Sequence, residues 1–127
     1  MQRILVVDDS EATRMMIRGI LEGLGVEVLE AANGREALEM IDSHQIPEAI
    51  LLDWYMPEMD GIECLRRLRE DPRLADTKVI MVTSATEFDR IQQALDEGAD
   101  EYVMKPFDSF ILSGKLERLG VFTPSRG

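Results

Sequence analysis

Five polar side chains of the sequence each lie at the end of a short apolar segment or just beyond it. They belong to Asp8, Asp9, Asp53, Thr83 and Lys105. If the apolar segments are parallel strands, their carboxyl ends share one edge of the sheet, where sheets of this kind bind ligands. The sequence therefore predicts three carboxylates, a hydroxyl and an ammonium group at a single site.

Three neighbouring carboxylates repel one another, and their pKa values rise unless a cation lies among them. Oxygen ligands favour Mg²⁺, with Mn²⁺ as an alternative, and Mg²⁺ readily takes phosphate oxygens as further ligands. We therefore expect Asp8, Asp9 and Asp53 to hold a divalent metal. Phosphoryl transfer at such a metal needs an in-line nucleophile and positive charge around the phosphoryl oxygens. Asp53 would be the nucleophile, and Lys105 and Thr83 would bind the oxygens.

Each of these residues also has a structural interpretation when it is taken alone. Asp8, Asp9 or Ser10 could cap the helix that follows. Thr83 could begin a helix, and Lys105 could form an ion pair with one acid. These alternatives stay open at this point.

The elements that must position these residues follow from the hydrophobic pattern. Strands are predicted at residues 4–7, 26–29, 49–52, 79–82 and 102–104. Their mostly continuous apolar character is typical of strands covered on both faces, as in a parallel sheet. The clearest helical pattern consists of Thr13, Met16, Ile17, Ile20, Leu21 and Leu24, and Gly25 follows it as a stop signal.

Weaker helical patterns lie at residues 37–41, 64–68, 88–95 and 112–119. Asn33-Gly34 could form a hairpin turn, but a helical pattern follows it, so we expect it to begin a helix. Alternating strands and helices predict an α/β fold, with right-handed crossovers and helices on both faces of a parallel sheet.

Composition limits the class of protein and its partners. The 127 residues fit one domain, and 45% hydrophobic with 31% charged residues suit a packed core and a polar surface. A formal net charge of −11 disfavours direct binding to nucleic acid or to anionic membranes. Cys64 has no second cysteine to pair with and is predicted to be a buried thiol. With no signal-peptide pattern and no membrane-length apolar run, we expect a cytoplasmic protein.

Several motifs between residue 3 and about residue 120 carry a family resemblance. They are Val6-Val7-Asp8-Asp9-Ser10, Leu52-Asp53, Met56-Pro57-Glu58-Met59-Asp60-Gly61, Val82-Thr83-Ser84-Ala85, Gly98-Ala99-Asp100 and Tyr102-Val103-Met104-Lys105-Pro106-Phe107. In order and spacing the sequence resembles the receiver domains of two-component response regulators, in their single-domain form. The resemblance implies a five-stranded flavodoxin-like (βα)5 fold with strand order 2-1-3-4-5. It also implies a receiver domain at residues 1–120 and a short tail at 121–127.

The resemblance assigns roles to the site residues. Asp53 would accept a phosphoryl group from a histidine kinase or a phosphotransfer protein. The backbone carbonyl of Tyr55 would join Asp9 and Asp53 as metal ligands, and Asp8 would act mainly through water.

In this family a switch pair transmits the modification to the surface. Thr83 and Tyr102 would be that pair. They would change the surface formed by the fourth helix, the fifth strand and the fifth helix, which would regulate a downstream effector protein. The resemblance further implies a cis bond at Lys105-Pro106.

Two positions depart from chemotaxis-type members of the family, which carry polar side chains there. Tyr55 lies two residues after Asp53, and Ala85 lies two residues after Thr83. Because these positions border the path of the hydrolytic water in the family, the departures predict slow dephosphorylation.

Two other functions would use a similar residue set. A pseudo-receiver binds partners without phosphorylation, but it usually lacks one of the acids or the lysine. A haloacid-dehalogenase-type phosphatase requires an Asp-x-Asp motif after its first strand, whereas Asp8 and Asp9 are adjacent here. We therefore expect a phosphoacceptor regulator and not a turnover enzyme.

Overall fold

A computed structural model describes residues 2–43, 46–84 and 89–122 of the chain. Strands and helices alternate along these residues as the hydrophobic pattern predicts. The elements are β1 (Arg3–Val7), α1 (Glu11–Gly23), β2 (Glu27–Ala31), α2 (Gly34–Asp42), β3 (Ala49–Asp53), α3 (Gly61–Arg69), a 3-10 turn (Pro72–Leu74), β4 (Lys78–Thr83), α4 (Ile91–Asp96), β5 (Glu101–Met104) and α5 (Ser109–Arg118).

The five strands form one parallel sheet in the order β2-β1-β3-β4-β5, which confirms the predicted fold. The register brings the carboxyl ends of the strands to one edge. Val7 pairs with Leu52, Asp53 pairs with Val82, and Thr83 pairs with Met104. Residues that directly follow these positions therefore meet beyond the same edge of the sheet.

Two apolar cores cover the two faces of the sheet. Successive residues of β1 alternate between them: Leu5 and Val7 belong to the core that includes α2, α3 and α4, whereas Ile4 and Val6 belong to the core that includes α1 and α5. All five residues of β3 are buried. Val121, the first residue of the predicted tail, is 4% exposed and packs in the second core.

Side-chain caps begin four of the helices. The side chains of Ser10, Asn33, Asp60 and Asp108 accept backbone N–H hydrogen bonds from the first turns of α1, α2, α3 and α5. Such a cap typically contributes about 1 kcal/mol. Asn33 confirms that Asn33-Gly34 begins a helix. Because Ser10 caps α1, Asp8 and Asp9 remain available for other roles.

Strand β2 differs from its predicted range of 26–29. Gly25, with φ 81°, ends the turn after α1, and the N–H of Val26 still donates to the carbonyl of Leu21. Pairing of Glu30 and Ala31 with β1 then extends the strand beyond the apolar segment.

The helical pattern predicted at residues 88–95 begins at Phe88, which lies outside the described residues, and α4 begins at Ile91.

Among the helices of the described ranges, none combines the length and the apolar character needed to cross a bilayer.

Gly61 allows the chain after β3 to fold back against the end of that strand. Its N–H donates to the carbonyl oxygen of Trp54 at 2.8 Å. A Cβ atom at this position would lie 2.6 Å from the backbone oxygen of Asp53 and 3.0 Å from the Cα of Trp54. The absence of a side chain at Gly61 therefore fixes where helix α3 begins relative to Asp53.

We expect Gly61→Ala to lower the free energy of unfolding by about 1–3 kcal/mol, because the backbone of β3 must shift to admit the methyl group. Gly19→Ala is the matched control. Gly19 lies within α1, and a methyl group added there would meet no atom within 4 Å beyond the adjoining backbone of that helix, so this change should stabilise the protein by up to about 1 kcal/mol. Urea denaturation of both variants measures the difference. Equal stability of the two would contradict the close approach at Gly61.

Candidate functional site

Three carboxylates meet at the carboxyl edge of the sheet. Asp8 and Asp9 follow β1, and Asp53 ends the neighbouring strand β3. One carboxylate oxygen from each lies within 4.8 Å of the others. Asp8 and Asp53 are 2% and 8% exposed, whereas Asp9 is exposed to solvent. The structure therefore places the three acids together, as the sequence predicts.

Lys105 supplies a positive charge to this cluster from the residue after β5. Its Nζ lies 3.1 Å from Oδ1 of Asp53 and 3.4 Å from Oδ2 of Asp8, so it contacts two acids and not one. Its backbone N–H donates to the carbonyl of Thr83 at 2.7 Å, and the Lys105-Pro106 bond is cis, as the resemblance implies. The lysine is thus held at both its main chain and its ammonium group.

Asp8 is anchored through every polar group it has. Its N–H donates to the carbonyl of Ala31 at 3.1 Å, and its Oδ1 accepts the N–H of Ser10 at 2.8 Å. Its carbonyl oxygen accepts a hydrogen bond from Nη1 of Arg14 at 2.6 Å. These contacts hold the turn between β1 and α1 in one conformation.

The electrostatics of the cluster depend on burial and on repulsion between the acids. Burial and the charge of Asp8 raise the pKa of Asp53 from 3.8 to about 6, although Lys105 opposes the rise. Burial favours the neutral form of Lys105, but the carboxylates of Asp53 and Asp8 outweigh it and raise the pKa of the lysine. The cluster therefore has more negative charge than its single lysine balances.

Thr83 brings a hydroxyl group to the same edge from strand β4. It is 1% exposed, and its Oγ1 has no hydrogen-bond partner among the described residues. Leaving a buried hydroxyl unpaired costs about 1–3 kcal/mol. An oxygen-rich ligand at this edge of the sheet would give the hydroxyl an acceptor.

Comparison with known proteins agrees with this arrangement. The family model of the response regulator receiver domain matches residues 4–117 of the chain. The chain belongs to this family. The motifs identified in the sequence therefore belong to a receiver domain, as their order and spacing indicate.

Individual relatives of this receiver domain match nearly its full length. Chemotaxis protein CheY1 of Helicobacter pylori is 39% identical over 116 residues, which are 91% of this chain and 94% of that protein. The solved structure of Vibrio cholerae chemotaxis protein CheY4 superimposes with a TM-score of 0.87 at 34% identity, covering 94% of this chain and 98% of that chain.

A transcriptional regulator is also among the relatives, and it matches over a smaller share of its own length. The phosphate regulon transcriptional regulatory protein PhoB of Pseudomonas aeruginosa is 43% identical over 114 residues, which are 90% of this chain but only 49% of that protein. The receiver domain therefore corresponds to about half of PhoB.

The donor set of this receiver domain fits a divalent cation. Asp8, Asp9 and Asp53 offer hard oxygen ligands from three carboxylates within 4.8 Å of one another, which suits Mg²⁺. Burial and the negative charge of Asp8 both raise the pKa of Asp53, and a dication would oppose both effects by stabilising the ionised carboxylate. The carbonyl of Tyr55 stays a prediction as a fourth ligand.

Of the other predicted residues, the structure describes Tyr55 and Tyr102. The side chain of Tyr55 is 60% exposed. Tyr102 is half-buried on β5, and Nζ of Lys115 lies 4.7 Å from its ring centroid. Ala85 lies outside the described residues.

Two arginines of the site region were not identified from the sequence. Arg14 contacts the carbonyl of Asp8, and the guanidinium of Arg90 lies 5.1 Å from the ring centroid of the buried Trp54. The sequence did contain a signal for the role of Arg14. Glu30 is an acid near the end of a short strand, and α1 carries Arg14 and Arg18 four residues apart, which is the spacing of side chains on one helix face. No comparable signal pointed to the contact between Arg90 and Trp54.

The raised pKa of Asp53 predicts that Asp53→Asn stabilises the receiver domain in metal-free buffer at pH 7.5. The folded state binds the proton of Asp53 more tightly than the unfolded chain does, so the wild type loses stability as the pH rises from about 4 to about 6. The asparagine variant avoids this loss. We expect the variant to gain about 1–3 kcal/mol of unfolding free energy above pH 6, with the lost Lys105 contact reducing the gain. The gain should disappear toward pH 4.

Chemical denaturation with EDTA at several pH values measures this difference. Asp76→Asn, which changes an exposed aspartate before strand β4, is the control and should show no such pH-dependent gain. An Asp53→Asn variant less stable than the wild type at pH 7.5 would show that the Lys105 ion pair outweighs repulsion and burial.

Proposed function

We propose that this receiver domain is a signalling switch in which Asp53 accepts a phosphoryl group. The observation that carries the proposal is the position of the Asp53 carboxylate, 3.1 Å from the Lys105 ammonium and within a cluster of three acids. A carboxylate so placed has a cation beside it and two further acids that could share a metal with it, and phosphoryl transfer requires such positive charge around the transferred group. In this proposal the protein is a phosphoacceptor and performs no catalytic turnover of a separate substrate.

The donor would be a histidine kinase or a phosphotransfer protein. A carboxylate oxygen of Asp53 attacks the phosphorus of a phosphohistidine, the P–N bond breaks, and the imidazole nitrogen keeps the electron pair. The carboxylate must be ionised to attack, and a pKa of about 6 leaves most of it ionised at neutral pH. Lys105 pairs with one phosphoryl oxygen, and the buried Thr83 hydroxyl donates to another.

Asp8, Asp9, Asp53 and the carbonyl of Tyr55 would hold Mg²⁺, or Mn²⁺ as an alternative. When bound, the dication supplies Lewis-acid stabilisation of a phosphoryl oxygen. The exposed Asp9 offers a carboxylate accessible to an ion arriving from solvent. As the resemblance implies, Asp8 would contribute mainly through water, and both of its carboxylate oxygens already have contacts, with Ser10 and Lys105.

Output would proceed through Thr83 and Tyr102. A phosphoryl group draws the Thr83 hydroxyl toward it, and the space this leaves lets Tyr102 turn inward from its contact with Lys115 of α5. This shift changes the face formed by α4, β5 and α5 and favours binding of a downstream effector protein. Phosphorylation shifts the equilibrium only by as much as it favours one of the two states.

Net charge and the single cysteine bear on the partners and the compartment of this proposed function. A net charge of −11 disfavours direct contact with nucleic acid or an anionic membrane, so the partners in this proposal are proteins. Burial raises the pKa of the Cys64 thiol to about 12, which suits a structural thiol in the reducing cytoplasm. We retain residues 1–120 as the receiver domain and 121–127 as a short tail.

Incubation with acetyl phosphate and Mg²⁺ should produce a slower-migrating species on a Phos-tag gel. Asp53→Ala should abolish this species, because the nucleophile is gone, while the control Asp76→Ala should retain it. EDTA should suppress the reaction in the wild type. If the wild type shows no shift, a non-phosphorylated pseudo-receiver becomes the better explanation.

Phosphorylated Asp53 should be long-lived compared with chemotaxis-type receivers. Ala85 has no side-chain group to orient the hydrolytic water, and the large side chain of Tyr55 follows the phosphoacceptor by two residues. Losing one good hydrogen bond to that water, about 1.4 kcal/mol, slows hydrolysis about tenfold. Decay after removal of the donor should be slower in the wild type than in the double variant Tyr55→Asn, Ala85→Glu. Equal or faster decay of the wild type refutes this prediction.

A further inference from the structure

We propose that Arg14 is a positioning residue for the metal-binding acids, because it fixes the peptide group that joins Asp8 to Asp9. This inference rests on the proposed function, since it concerns the same metal site. The geometry that carries it is a chain of contacts from Glu30 on β2, through Arg14 on α1, to the carbonyl oxygen of Asp8. Arg14 would not touch the metal or the phosphoryl group itself.

The exposed Asp9 is the acid whose position depends most on the backbone. Asp8 has contacts on both carboxylate oxygens, and Asp53 contacts Lys105. The carboxylate of Asp9 has no hydrogen bond or ion pair with any residue that the structure describes. Its position relative to the other two acids is therefore set by its backbone.

The Asp8–Asp9 peptide group is planar, so the direction of the Asp8 carbonyl also fixes the N–H and Cα of Asp9. Nη1 of Arg14 donates to that carbonyl at 2.6 Å, and the N–H of Asp8 donates to Ala31 of β2 at 3.1 Å. Loss of the Arg14 contact would let the whole peptide group turn through ψ of Asp8 and φ of Asp9. The three oxygens would then spend less time within ligand distance of one another.

Glu30 makes this arrangement compatible with a bound cation. Its Oε1 accepts Nε of Arg14 at 3.0 Å, which balances the guanidinium charge beside the acids. Burial raises the pKa of Glu30, but the hydrogen bonds from Arg18 and Arg14 outweigh it and keep the carboxylate ionised. Arg14 thus contributes a strong donor without adding an unpaired positive charge that would repel the metal.

Arg18 provides a matched control on the same helix. Its Nε donates to Oε2 of Glu30 at 2.7 Å, but its other contacts are to Glu22 and to the carbonyl of Val28. Arg14→Met and Arg18→Met each remove one arginine from α1 and one ion pair with Glu30. Only Arg14→Met removes the donor to Asp8.

Isothermal titration of each variant with Mg²⁺ is the first measurement. We expect Arg14→Met to weaken Mg²⁺ binding about tenfold, in the range for residues that orient metal ligands, and Arg18→Met to bind as the wild type does. Glu30→Gln should weaken binding in the wild-type background but not in the Arg14→Met background, because the two residues act through one contact. Equal affinities of the Arg14→Met and Arg18→Met variants overturn the proposal.

Amide hydrogen exchange in EDTA is the second measurement, and it needs no metal. The N–H of Ser10, which donates to Oδ1 of Asp8, should exchange faster in Arg14→Met than in Arg18→Met, since only the former frees the Asp8–Asp9 peptide group. If Arg14→Met fails to fold, Arg14→Lys and Arg18→Lys replace the pair. If the wild type binds no Mg²⁺, the proposed metal site fails, while exchange still decides the role of Arg14. Matching exchange in both variants refutes that role.

Discussion

Repulsion among three carboxylates confined to one edge of the sheet is the constraint on which the rest of the structure depends. Two unit charges 4.8 Å apart, the upper limit of the oxygen separations among Asp8, Asp9 and Asp53, repel by about 3.5 kcal/mol at an effective dielectric constant near 20. One lysine offsets part of this energy, and repulsion from Asp8 adds to the effect of burial in raising the pKa of Asp53. Packing elsewhere must hold the acids together against this repulsion.

The parallel sheet meets that requirement because it separates the source of stability from the site. The two apolar cores lie on the faces of the sheet, and the charged groups lie beyond its carboxyl edge. β1 and β3 are adjacent interior strands, so the acids that follow them are carried by buried backbone. Gly61 allows helix α3 to begin close against the end of the same strand, beside the backbone of Asp53.

The strands and most of the helix starts could be predicted because short-range sequence patterns specify them. Continuous apolar segments indicated the strands, and residues such as Asn33 marked helix starts that the structure confirms. The resemblance, and not the spacing alone, supplied the strand order. The end of β2 was missed because Glu30 joins the sheet by backbone pairing, to which its polar side chain gives no clue.

The contact between Arg90 and Trp54 could not be predicted, and Glu30 with the arginines of α1 gave only an indirect signal for the contact of Arg14 with Asp8. Each joins side chains or backbone groups that are distant in sequence or lie across a turn, and their positions depend on how helices pack on the sheet. The unpaired hydroxyl of Thr83 likewise emerges only when the surrounding atoms are placed. Pattern-based reasoning therefore found the groups that could react, but not the groups that hold them in place.

The stacking of Arg90 on Trp54 gives the domain a built-in optical reporter. The chain has one tryptophan, so the indole emission of the unlabelled protein, excited at wavelengths that tyrosine does not absorb, originates from a single place. That place is one residue beyond the phosphoacceptor, where the indole is buried under the residue that precedes helix α4. A nearby cation shifts the energy of the excited indole through its electric field. A change in the separation between the phosphoacceptor strand and the start of α4 should therefore alter the indole emission.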